Sequence, residues 1–153
     1  MEHQLTTTEI DAKLEVAGYL GTFACDELPE NPKDLTSFSF VVNVDPSNEP
    51  GSHWLAVVFK TGIFYFIDSY GRSYNDRGLF PKLFIDIFQK YFEKSKVICN
   101  RKMLQQLVSN ACGDYAIYFI REMSKNSFKK VLSVFSENLK RNDQIVVRYV
   151  KNV

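Results

Sequence analysis

The run Ser52-His53-Trp54-Leu55-Ala56-Val57-Val58-Phe59-Lys60-Thr61-Gly62-Ile63-Phe64-Tyr65-Phe66-Ile67-Asp68-Ser69-Tyr70-Gly71 decides how this chain folds. Two strand-like stretches, 53–60 and 63–70, are separated by Thr61-Gly62, which predicts a tight hairpin. With those two residues as the turn, Lys60 faces Ile63, Leu55 faces Asp68 and His53 faces Tyr70. Strand side chains alternate with period two and opposed residues share a face. His53 and Asp68 are therefore predicted to be diagonal neighbours on one side, an acid within reach of an imidazole nitrogen.

Elements of both kinds surround the hairpin. Upstream, Thr6-x-x-Glu9 reads as a capping box, with Ile10, Leu14 and Ala17 at helical spacing and Gly18 as the stop. Residues 25–36, with Pro29 and Pro32, read as loop, residues 38–44 as a strand, and 45–51 as a turn-rich connector. Downstream, 71–78 is a polar loop, and Leu83, Phe84, Ile87, Phe88 and Tyr91 mark an amphipathic helix with Pro81 near its first turn. Residues 97–99 suggest a short strand, and the apolar run after Cys112 suits a buried central helix. A further helix is expected near 127–139 and a strand at 145–150. Interspersed helices and strands around an antiparallel hairpin predict an α+β fold, expected as a single domain over residues 1–153.

Composition narrows the classes. A 45% hydrophobic and 24% charged chain is ordinary for a folded soluble protein. Its 13 Phe and 8 Tyr are spread along the predicted elements and read as core. A net charge of +1 gives no electrostatic reason to expect nucleic-acid binding. Three cysteines without a Cys-x-x-Cys pair argue against a disulfide scaffold and a structural zinc site and for a reducing compartment. Met1-Glu2-His3-Gln4 lacks the layout of a signal peptide, and no stretch reaches the roughly 18 apolar residues of a membrane span. The expectation is an intracellular monomer, not secreted, with no membrane contact, no metal and no cofactor.

Cys112 stands where the polar run Gln105-Gln106-Leu107-Val108-Ser109-Asn110-Ala111 gives way to that apolar helix. Free N–H groups and the positive end of a helix dipole favour a thiolate there. Nucleophilic thiol catalysis needs a base, a group holding that base in one tautomer, and donors for an oxyanion. Cys112 suits the nucleophile, His53 the base, Asp68 its orienting acid, and the Cys112 N–H with a Gln105 side-chain amide the donors. Each residue also has a plain structural reading. A cysteine entering an apolar helix is commonly a small core residue, a histidine opening a strand a surface residue, and an Asp before Ser-Tyr-Gly a turn former. Their joint occurrence in this order favours a site.

The motifs His53-Trp54, Asp68-Ser69-Tyr70-Gly71 and Gln105 followed by Cys112-Gly113 resemble those of adenovirus-type maturation proteases, and more distantly of proteases that remove ubiquitin-like modifiers such as SUMO. Gly18-Tyr19-Leu20-Gly21-Thr22-Phe23 is similar to the adenoviral segment following the first helix, so the resemblance covers roughly residues 10–122. It implies a papain-like, adenain-like cysteine-protease fold, with a mixed central sheet and a buried helix starting at the nucleophile. Trp54 would wall the substrate channel, a role compatible with its reading as a core aromatic. Asp68 replaces an adenoviral Glu and keeps the carboxylate. Gln105 lies seven residues before Cys112, the adenoviral spacing, and Gln106 six, the SUMO-protease spacing; the register of Ser109 and Ala111 favours Gln105. Cys99 precedes Gln105 as a peptide-tethering cysteine does in adenoviral enzymes, at a shorter spacing, and leaves an activating peptide as an open question.

The shorter hairpin and chain are similar to proteases of virophages and Polinton (Maverick) elements. The resemblance then implies an endopeptidase cutting capsid precursor proteins near Gly during particle maturation, in the virion, host cytoplasm or viral factory. A deconjugating isopeptidase with the same chemistry is the alternative, and a silent binding domain a third reading from another class.

Overall fold

The computed structural model describes residues 4–153. The elements in chain order are α1 (Thr7–Ala12), β1 (Tyr19–Phe23), β2 (Ser37–Asn43), β3 (Trp54–Lys60), β4 (Ile63–Ile67), α2 (Lys82–Tyr91), β5 (Lys96–Cys99), α3 (Cys112–Met123), α4 (Phe128–Leu132) and α5 (Leu139–Lys151). The strands form one mixed sheet in the order β1-β2-β3-β4-β5, with parallel pairs at both edges and antiparallel pairs in the centre. The fold is α+β.

The β3–β4 hairpin has the predicted register: Lys60 pairs with Ile63, Val57 with Phe66 and Ala56 with Ile67. Thr61 and Gly62 both take positive φ, 51° and 77°. A type I′ turn demands this, and its twist matches that of the flanking strands. β2 and β3 read as nearly continuous apolar runs because both faces of the sheet are covered. Val41, Ala56, Val58 and Ile67 face the cluster formed with α1, α3 and α5. Phe40, Val42, Leu55, Val57, Phe64 and Phe66 face an aromatic cluster with α2. In the latter, Phe80 stacks on Phe84 at 4.6 Å and Phe66 meets Phe88 edge-on. Each such fully buried ring contributes on the order of 2–3 kcal/mol of transfer free energy.

Several sequence expectations are corrected. α1 carries the predicted capping box but ends at Ala12. Leu14 is buried beyond it in irregular backbone, and Gly18 leads into β1, where a Cβ would come within 2.8 Å of the Ser37 carbonyl oxygen. The segment 127–139 breaks: Ser127 caps the short α4, the chain turns at Ser133, and Asn138 caps a new helix by accepting from the Arg141 N–H. Residues 145–150 are helical within α5 and form no strand. Its buried Asn142, Asp143, Val146 and Val150 follow helical spacing, and Asn142 donates to the carbonyls of Leu104 and Ser136, partners that this helix face supplies. In α2, Leu83 is exposed and Ile85 takes the buried position.

α3 is buried almost all round and lies against β3. The two run in the same direction. Gly113 at the start of α3 meets Trp54 at the start of β3, and the Lys60 ammonium at the end of β3 donates to the carbonyls of Met123 and Asn126 at 2.7 and 3.0 Å. A cation on the carbonyl end of a helix satisfies orphan acceptors and complements the dipole.

Candidate active site

The site is built where β3 begins, β4 ends and α3 begins. His53 immediately precedes β3 and Asp68 immediately follows β4, and His53 Nε2 lies 2.7 Å from Asp68 Oδ1. A carboxylate only accepts, so Nε2 carries the proton and Nδ1 is left for the other partner of the ring. Cys112, in the first turn of α3, acts on the same ring. His53 and Cys112 are buried, 8% and 5% exposed, and Asp68 has no exposed surface. The Tyr70 ring stacks on the imidazole, centroids 4.9 Å apart and planes within 16°. The face-to-face pairing of His53 with Tyr70 follows from the hairpin register extended beyond its last ladder pair.

Asp68 is held from every side. Oδ1 accepts from the Tyr70 N–H and Oδ2 from the Arg72 N–H, with Arg72 Nε at 2.6 Å. Asn100 clamps the Asp68 backbone, accepting from its N–H at 2.9 Å and donating to its carbonyl at 2.7 Å. The turn closes through the Gly71 N–H on the Asp68 carbonyl. Gly71 has φ of 78°, and a Cβ there would lie 2.7 Å from the Lys102 carbonyl carbon, so only glycine fits. The Arg72 guanidinium also lies over the Phe80 ring at 4.4 Å, which ties the carboxylate to the aromatic core.

These contacts set the charges. Burial opposes an imidazolium, but hydrogen bonds to Asp68 and Cys112, with the negative charges of both, raise His53 from 6.5 to about 9. Burial likewise opposes the Asp68 carboxylate. Hydrogen bonds and charge from His53 and Arg72 outweigh it and hold Asp68 below the usual carboxylate range.

Gln105 lies in the loop entering α3 and is fully buried. Its Oε1 accepts from Ser69 Oγ, and its Nε2 donates to the Ser109 carbonyl and Oγ, each at 3.0 Å. It thus joins the turn after Asp68 to the loop before Cys112. Gln106 donates to Asp143 Oδ2 at 3.0 Å, on a carboxylate that also receives the Tyr115 hydroxyl. Trp54 is half-buried and donates from Nε1 to the Leu5 carbonyl at 2.9 Å. All three cysteines are free; Cys99 Sγ lies 3.4 Å from Ser73 Oγ, and burial with the charges of Asp26 and Asp45 pushes Cys25 up to about 11. Among the described residues no group of three His, Cys, Asp or Glu side chains is placed to hold a metal ion, and no helix is long and apolar enough to cross a membrane.

Sequence reasoning missed Arg72, Asn100 and the stacking role of Tyr70. Arg72 had a signal, a cation four residues after the acid in a glycine turn. Asn100 had none, because its partner is 32 positions away.

Sheet order, the buried helix opening at Cys112 and the flanking helices together define the SUMO-protease/adenain-like cysteine-protease fold. Among solved structures, the ASFV pS273R protease matches with a TM-score of 0.60 at 16% identity, over 92% of this chain and 64% of that one. Its selenomethionine form matches at 0.57 and 17%, over 94% and 67%. ChlaDub1 from Chlamydia trachomatis matches at 0.52 and 14%, over 78% and 60%. The chain therefore spans about two thirds of the length of these proteins, and at such identities the likeness is one of fold. No family model matches the sequence, and no curated protein does.

Proposed function

We propose that this chain is a cysteine endopeptidase in which Cys112 is the nucleophile, His53 the general base and Asp68 its orienting acid. The observation that carries the reading is the imidazole held between the Asp68 carboxylate and the Cys112 thiol at a helix start. His53 Nδ1 holds the proton given up by the thiol, and the Sγ thiolate attacks the scissile carbonyl carbon. The oxyanion is received by the Cys112 N–H and by Gln105 Nε2, which exchanges its bond to Ser109 Oγ for the new acceptor. The imidazolium then protonates the leaving amine, and water, deprotonated by His53, hydrolyses the thioester.

The substrates are capsid precursor proteins cut near Gly, in keeping with the motif resemblance. A second reading, also in keeping with the motif resemblance, is an isopeptidase acting on the tail of a ubiquitin-like modifier. Incubation with capsid precursors from the same genome and, in parallel, with ubiquitin-like conjugates separates the two. Cleavage of neither, by a folded and reduced protein, overturns both.

A further inference from the structure

The segment preceding α1 crosses the site. Gln4 Nε2 lies 3.8 Å from Cys112 Sγ and 3.4 Å from the Ser52 carbonyl oxygen. One residue on, the Leu5 carbonyl accepts from Trp54 Nε1 at 2.9 Å. The Leu5 side chain covers Gly113, where an added Cβ would come within 3.2 Å of Leu5 Cβ. Four contacts from two consecutive residues thus land on the nucleophile, on the glycine after it, on the residue preceding the base and on Trp54. The Thr6–Glu9 capping box fixes the chain immediately afterwards, so the segment is anchored at its downstream end. The Trp54 N–H and the Ser52 carbonyl are one donor and one acceptor beside the thiol, the pair an extended peptide uses. Here the chain itself satisfies them.

We infer that Gln4-Leu5 is a strap lying in the substrate cleft as a self-supplied peptide ligand, which an incoming substrate has to displace. The inference rests on the catalytic site being the one proposed above. Its physical content is occlusion of the Cys112 thiol, and that is tested without any cleavage. A strap held by one indole-to-carbonyl hydrogen bond, one apolar contact and two long amide contacts is weak enough to open and strong enough to keep the thiol covered most of the time. The substrate's own carbonyl then takes over the Trp54 N–H.

The test is the alkylation rate of Cys112 by iodoacetamide in the reduced full-length chain, with Cys99 as internal reference and Cys25 as a monitor of unfolding. The double variant Gln4→Gly with Leu5→Gly should raise the Cys112 rate about tenfold or more, the reciprocal of the fraction of time the thiol is open. Emission from Trp54, the only tryptophan, should shift to the red as its N–H becomes hydrated. Gln4→Gly alone, which leaves the apolar contact intact, should give a smaller rise. Adding the synthetic peptide Met-Glu-His-Gln-Leu-Thr-Thr-Thr to the double variant should slow alkylation again, and a scrambled peptide should not. An unchanged or slower Cys112 rate in either folded variant overturns the strap. A faster rate in a protein that cleaves no substrate upholds the strap and overturns the peptidase reading.

Discussion

Arg72 and His53 bind opposite oxygens of one carboxylate: Arg72 Nε lies 2.6 Å from Asp68 Oδ2, and His53 Nε2 lies 2.7 Å from Oδ1. The acid therefore cannot swing away from the imidazole without giving up a second cation. Arg72→Met should cost about 1.5–3 kcal/mol, the worth of a hydrogen bond to a charged group. It should also raise the pH at which Asp68 protonates, so that activity fails earlier on the acid side. Chemical denaturation and a pH–rate profile measure both, and an unchanged acid limb contradicts the proposed hold.

The pairing of His53 with Asp68 predicts graded losses. His53→Ala should leave no measurable turnover. Asp68→Asn should retain a residue of activity, reduced by as much as about 10⁴, because an amide can hold the ring but cannot stabilise the imidazolium. Equal activities for the two variants would argue against an orienting role.

Stability should depend on pH in a predictable direction. Folded His53 titrates near 9 against 6.5 for a free imidazole. It binds its proton more tightly in the folded state, so its contribution is complete below 6.5 and disappears as pH climbs through about 9. Asp68, held low, contributes in the opposite sense and loses its share only as pH falls below 3.8. Thermal midpoints between pH 6 and 10 should fall in the wild type and flatten in His53→Ala.

Cys112→Ala should abolish cleavage while leaving the thermal midpoint close to that of the wild type. Cys99→Ser should retain activity, since its neighbour at 3.4 Å is a serine hydroxyl that a serine can also meet. If Cys99→Ser and reducing agent abolish cleavage equally, a disulfide-tethered activating peptide becomes the better account.

Gln105 and Ser109 give a paired test. Gln105→Ala should lower kcat by about 10² to 10³ with little change in KM, the usual result of losing an oxyanion donor. Ser109→Ala removes one competitor for the same amide hydrogen, so kcat should hold or rise. Gln106→Ala should spare kcat. A large kcat loss from Gln106→Ala and none from Gln105→Ala would move the donor by one residue.

The hairpin was legible because its two-residue turn fixes a register, and a register fixes which side chains meet. The same arithmetic put Asp68 beside His53. The place of Cys112 at the start of the buried helix was legible from the change of a polar loop into an apolar run. The errors lie where local preference and tertiary context disagree. Ile145, Val146 and Val147 favour a strand by their β-branched side chains, but the polar Asn142 and Asp143 find their partners only on a helix packed beside Leu104 and Tyr115. Leu14 sits at helical spacing and is buried, yet the chain around it is irregular. The Asn100 clamp and the Gln4 contact with Cys112 join residues 32 and 108 positions apart, and nothing local announces them.

Lys60 at one end and the His53–Cys112 contact at the other fasten β3 and α3 to each other like two rails of fixed gauge. An extra residue in β3 would turn each later side chain to the opposite face, and one in α3 would rotate its remainder by about 100°. Length changes are therefore barred from Trp54–Lys60 and Cys112–Met123. The loops 24–36 and 73–79, which hang outside the rails, are where insertions can accumulate without moving the thiol from the imidazole. In chains of this architecture, growth should be found in such loops and at the ends, with the spacing inside the two rails constant to the residue.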